Sequence, residues 1–166
     1  MICDMRIWHK SHQTMNAQKR GIHMEEHTVA LLKECNSGCK MATQSIRQVR
    51  EYAKDPKLER ILDAYDKKHR DLEEETDCLL SKYEKSEEKP STLAEFWSKM
   101  DIEMKMMLHA DSHQIAKLMM DGCNMGIQTL SEHVNQYSEA SKESSTIAKK
   151  IIKAEEDFMA EMKQFL

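Results

Sequence analysis

The chain has 166 residues, 33% of them charged and 40% hydrophobic, with a formal net charge of −4. That length suits one domain; Lys and Arg interleave with Glu and Asp as solvated helix faces do, so no basic stripe is offered to phosphates and no nucleic-acid partner is expected. Four Gly and two Pro give too little turn punctuation for an all-β fold, and no apolar run approaches the roughly 18 residues of a membrane span.

Residues 1–23 show no clean period and read as a poorly ordered arm, or as residues outside the natural protein, since Met15 and Met24 are alternative starts. Met1 to Arg20 holds Ile2, Ile7 and Trp8 but no continuous apolar stretch, so no secretory signal is expected. The five cysteines, Cys3, Cys35, Cys39, Cys78 and Cys123, are odd in number. They suit free thiols in a reducing cytoplasm better than a disulfide framework.

Residues 24–166 read as the folded domain. A first helix is predicted from about Glu25 to Ala53, with Leu32, Cys35, Cys39, Ala42, Ile46, Val49 and Ala53 as its seam. Asp55-Pro56 ends it and starts the next, Asp55 as cap and Pro56 where a missing N–H costs nothing. The second helix, from Pro56 to about Lys85, has the seam Leu58, Leu62, Tyr65, His69, Leu72, Thr76, Leu79 and Tyr83. The short link makes these two an antiparallel hairpin.

A charged linker closes at Pro90, Thr92 and Glu95 form a capping box, and a shorter helix runs to about Leu108 with Leu93, Phe96, Trp97, Met100, Met104 and Met107 on a broad apolar face. Asp111 and Gln114 mark a new N-terminus. The third long helix, to about Tyr137, has Met120, Cys123, Ile127, Leu130, Val134 and Tyr137 as its seam. After a polar turn over Ser138 to Ser145, the last has Ile147, Ile151, Ala154, Phe158, Glu161 and Phe165. The fold class is therefore all-α: two antiparallel hairpins of helices about 40 Å long, joined by a crossover helix in the connectivity of a ferritin-like four-helix bundle.

The hairpins resemble each other. Cys35-Asn36-Ser37-Gly38 aligns with Cys123-Asn124-Met125-Gly126, and the first seam then falls on the third. Gly38, Gly122 and Gly126 all lie inside predicted helices, where Gly costs about 0.5–1 kcal/mol relative to Ala. Tight helix packing is the expected reason, with close approach of a ligand as the other reading.

Cys35 to Gly38, the Asp55-Pro56-x-Leu58 turn, Asp66 with His69 and Leu72, and the stretch from Asp111 to Gly126 carry a resemblance to a bacterial ferritin-like four-helix-bundle family of unknown function. It covers about residues 25–166 and leaves the arm outside. Ferritin-like metal sites take one Glu from each of two helices and a Glu-x-x-His pair from each of the others. Here the second helix has Asp66-x-x-His69, the last has Glu155-x-x-Phe158, and the other two offer Glu34 or Cys35 and Asp121 or Cys123. The carboxylate di-iron set is thus incomplete.

His69 on its seam points inward and needs a partner. It reads either as a core histidine bonded to Tyr65, Thr43, Thr76 or a backbone group, or as a metal ligand beside Asp66. Cys35 and Cys39 share a face and suit zinc or Cu(I); a site built on His69, Asp66, Cys39 and Cys123, with Cys35 and Glu155 near it, is the metal hypothesis. Against it stands the core-filler role of buried Cys. The pairs His23 with His27 and His109 with His113 read as surface residues, and the methionines as core or interface.

No phosphate loop, nucleophile elbow or catalytic carboxylate pair appears. The expectation is a non-catalytic binding or interaction module of the bacterial cytoplasm. A homodimer through the Trp97 face of the crossover helix is expected, and the partner protein or small ligand is left open. The alternative is an iron, zinc or copper protein, for storage or redox work, with an altered ferritin-like site.

Overall fold

Four long helices carry the described part of the chain. The structure is a computed structural model; it describes residues 5–83 and 111–166, with side chains from residue 18 onward. The predicted linker, the capping box at Thr92, the crossover helix with Trp97, and Cys3 and His109 lie outside the described residues. No strand occurs among the described residues, and no helix there is long and apolar enough to cross a membrane.

α1 spans Met5–Arg50. It extends back from the predicted start near Glu25, through residues read as an irregular arm, while residues 18–26 are exposed. The chain turns at Glu51 and Tyr52, and Asp55 caps α2 (Pro56–Leu80), its carboxylate accepting from the Lys57 and Leu58 amides at 2.7 and 3.2 Å. Pro56 occupies the first helical turn. The Asp111 carboxylate, accepting from the Gln114 amide at 2.9 Å, caps α3 (Ser112–Gln136). Ser141 caps α4 (Lys142–Met162), three residues before the predicted end of the polar turn, and a short 3-10 turn, Lys163–Phe165, follows.

Two layers of core run through all four helices. One holds Ile46 and Val49 of α1, Leu58 and Leu62 of α2, Ile115 and Met119 of α3, and Phe158 and Met162 of α4. The other holds Leu31 and Leu32, Leu72 and Leu79, Leu130, and Ile147 and Ile151. The residue order in the two layers sets the directions: α1 and α4 run one way, α2 and α3 the other. Leu80 and Ser112 therefore lie at opposite ends of the bundle. α1 packs on α2, α3 and α4, and α4 also packs on α2 and α3.

Most of the predicted seam residues are buried, while Ala42, Tyr65, Tyr83, Ile127, Val134, Tyr137 and Phe165 are half-buried, and the register slips at two places. On α3, Met119 is buried and Met120 only half-buried; on α4, Met162 is buried and Glu161 is exposed. A straight helix turns every 3.6 residues and drifts off a strict 3.5-residue repeat, so the last step of α4 is four residues rather than three. Ion pairs hold the outside of the first hairpin, with Arg50 bonded to Asp63 at 2.8 Å and Lys40 near Glu73. The buried Asn36 amide donates to Asp77 across the same pair of helices.

Candidate functional site

His69 sits between the two core layers, fully buried. Being on α2's seam, it faces α4, and α4 answers with Glu155, itself 8% exposed. The ring Nδ1 lies 2.7 Å from the Tyr65 carbonyl one turn back, and Nε2 lies 3.0 Å from Glu155 Oε1. A carbonyl only accepts, so Nδ1 carries a proton and donates. Burial alone pulls the imidazole pKa down, but the hydrogen bond and negative charge of Glu155 outweigh it and hold His69 above its ordinary value. Burial likewise pushes Glu155 up, and His69, with a further hydrogen bond from Cys123, brings it below its ordinary value. The pair is an imidazolium and a carboxylate, each the main support of the other.

The partner of His69 is thus Glu155 of the facing helix. Asp66, one turn from His69 in sequence, turns outward: its two oxygens lie 3.0 Å from Arg47 and 3.0 Å from Arg70. Thr43 and Thr76 bond carbonyls of their own helices, those of Cys39 and Leu72. Tyr65 meets Phe158 face to face, ring centroids 4.4 Å apart.

Cys123 belongs to the layer of Phe158, whereas Cys35 and Cys39 belong to the other layer. All three thiols are free and buried; Cys78 is free and exposed. Burial pushes the Cys35 thiol up to about 12, with Glu34 adding to it. Burial raises Cys39 further, and raises Cys123 together with the charge of Glu155. These are protonated thiols, the opposite of the thiolates that bind metals or act as nucleophiles. Among the described residues no three His, Cys, Asp or Glu side chains are arranged to hold a metal ion. The donors proposed for one are dispersed: His69 and Cys123 each bond Glu155, Asp66 is held by arginines, and Cys35 and Cys39 lie among leucines and isoleucines.

The glycines overturn a different expectation. Among the described residues they do not let helices close on one another: a Cβ built on Gly38 or Gly122 would meet nothing there within 4 Å, and one on Gly126 would meet only Glu155, at 3.8 Å. They instead wall a cavity of about 280 Å³ between α1, α3 and α4. Met41, Ile46, Met119, Ile151 and Phe158 supply apolar walls; Ser37, Ser45 and Thr129 supply hydroxyls. Glu155 lies in its lining, where His69 does not appear.

Glu34 and His133 also line the cavity. Their side chains approach to 3.5 Å, His133 stacks on Tyr137 at 5.7 Å, and the buried His133 Nδ1 has no hydrogen-bond partner among the described residues. Of the other histidine pairs, His27 Nδ1 accepts from the Glu139 amide at 3.4 Å, His23 is exposed beside Glu26, and His113 is exposed.

Sequence reasoning found Glu155 and the glycines but not what joins them. The signal was present as small residues at four-residue spacing, Gly38 with Ala42 on α1 and Gly122 with Gly126 on α3, on two helices that face each other. No family model, curated protein or solved structure matches the chain.

Proposed function

We propose that this protein is a non-catalytic binding module on a bundle of ferritin-like topology, and that its site is the cavity between α1, α3 and α4. The observation that carries the reading is the set of glycines: Gly38 and Gly122 sit in helix interiors, at a cost of roughly 0.5–1 kcal/mol each relative to Ala, and a Cβ at either would meet no neighbour among the described residues. Packing does not need them to be Gly; a space kept open does. The volume, about 280 Å³, stands at the lower edge of small-ligand sites, and a mostly apolar wall with a few polar groups is their usual composition. The ferritin-like topology is supported by Leu80 and Ser112 lying at opposite ends of the bundle.

The neutral apolar fluorophore N-phenyl-1-naphthylamine tests the site. One equivalent per chain is expected to bind with enhanced emission, and Gly38→Leu with Gly122→Leu, which fill the space, are expected to abolish binding while the helical circular dichroism stays intact. Binding undiminished in the double variant would overturn the assignment.

The altered metal site remains as a second reading, favoured by one observation: Glu155 bonds both His69 and Cys123. A metal there would have to displace the protons on Nε2 and on the thiol. The check is elemental analysis of protein purified without an affinity tag and incubated with iron, zinc and copper; less than about a tenth of an ion per chain would end this reading.

A further inference from the structure

We infer that the cavity takes a small apolar molecule bearing a protonated amine, with the ammonium directed at Glu155. This rests on the cavity being the ligand site and names the chemical class of what enters it. Two carboxylates, Glu155 and Glu34, stand in the lining, and among the described residues neither Lys nor Arg does. The charge that balances Glu155 is on His69, which is fully buried behind it and absent from the lining. The cavity therefore sees the negative end of the pair.

Glu155 has acceptor capacity left. A carboxylate offers about four lone-pair directions, and here Nε2 of His69 and the Cys123 thiol use two. The second imidazole adds to the same preference. His133 directs Nε2 toward Glu34 at 3.5 Å; with the proton on Nε2, the buried Nδ1, which has no partner among the described residues, is an acceptor. Carboxylate and imidazole both call for a donor, and an anionic head group would face the like charge of Glu155 and Glu34. Ammonium answers with three N–H donors and a charge, and charge-assisted bonds are about twice as strong as neutral ones. The apolar body then lies along Met41, Ile46, Met119 and Phe158.

Three probes with one apolar body separate the claims: 3-phenylpropylamine, 3-phenylpropanol and 3-phenylpropanoate, each titrated by calorimetry into the full chain and each competed against N-phenyl-1-naphthylamine. The amine is expected to bind at least about tenfold tighter than the alcohol, and the carboxylate weakest. In Glu155→Gln the amine's advantage is expected to shrink toward that of a neutral donor, with alcohol binding retained. Should that variant not fold, the ranking in the wild-type protein decides by itself. Alcohol equal to amine, or carboxylate the tightest, overturns the amine assignment and leaves the cavity standing. If the fluorophore and all three probes fail to bind, the cavity reading itself has failed.

Discussion

His69 and Glu155 hold opposite charges in a layer where the imidazole has no contact with water. Breaking such a pair by removing one partner costs about 3–5 kcal/mol, because the other is left charged and buried. The raised His69 value means that its share of the stabilisation is complete below the ordinary 6.5 and is lost as pH rises through the raised value. The lowered Glu155 value means that its share is present above the ordinary 4.5 and is lost as pH falls through the lowered value. The pair therefore contributes most between those two ordinary values. The gap in melting temperature between wild type and Glu155→Gln is expected to be wide at pH 5.5 and narrower at pH 9; a gap that does not change with pH would show a pair that carries no charge. The inward direction of His69 was legible, since a heptad fixes which face a residue joins. Its partner was not, because the seam of one helix says nothing about the rotation of the helix opposite. Glu155 was read as a fragment of Glu155-x-x-Phe158, and Asp66 as the neighbour of His69, whereas Arg47 and Arg70 draw Asp66 outward.

At the scale of the element, local chemistry was the most readable. Asp55-Pro56 and Asp111 start helices in the structure as in the sequence, because a cap needs only its own next three residues. Asp55→Ala is expected to cost about 1 kcal/mol in chemical denaturation, through the Lys57 and Leu58 amides it leaves without an acceptor. The start of α1 was not readable. Over residues 18–26 the helix is exposed all round, and a helix that buries no face has no period to show. The glycines were noticed and misassigned, since cost alone does not distinguish crowding from space. Gly38→Ala and Gly122→Ala are each expected to stabilise by about 0.5–1 kcal/mol; a loss of stability on adding one methyl group would mean that the helices do close there. The repeated motif keeps its roles in part. Cys35 and Cys123 are both buried, and Gly38 and Gly126 both line the cavity, but Asn36 is buried against Asp77 while Asn124 is exposed.

Across the whole molecule, each core layer draws side chains from all four helices, so neither hairpin owns a core of its own. One cooperative transition is expected. Phe158→Ala is expected to cost about 3–5 kcal/mol and to shift the far-ultraviolet circular dichroism and the tyrosine signal together, although Phe158 lies in α4 and stacks on Tyr65 of α2. Two separated transitions would show hairpins that unfold independently. That the chain forms two hairpins was legible from seams and short links. The meeting of α1, α3 and α4 around an open space was not, because Gly38, Gly122 and Gly126, which leave it open, are absent from every seam.

The cavity also sets how the folded protein occupies volume. If water stayed out of it, about 280 Å³ would amount to roughly 170 mL/mol of void, more than the whole volume change of about 20–100 mL/mol that unfolding ordinarily releases under pressure. Hydroxyls of Ser37 and Thr129 and the Glu155 carboxylate give water partners there, and at about 30 Å³ each the space suits roughly nine molecules. A ligand that enters does so by exchange. Its binding should show the negative heat-capacity change of apolar surface leaving water, with little effect on the pressure at which the chain unfolds beyond that expected from affinity alone.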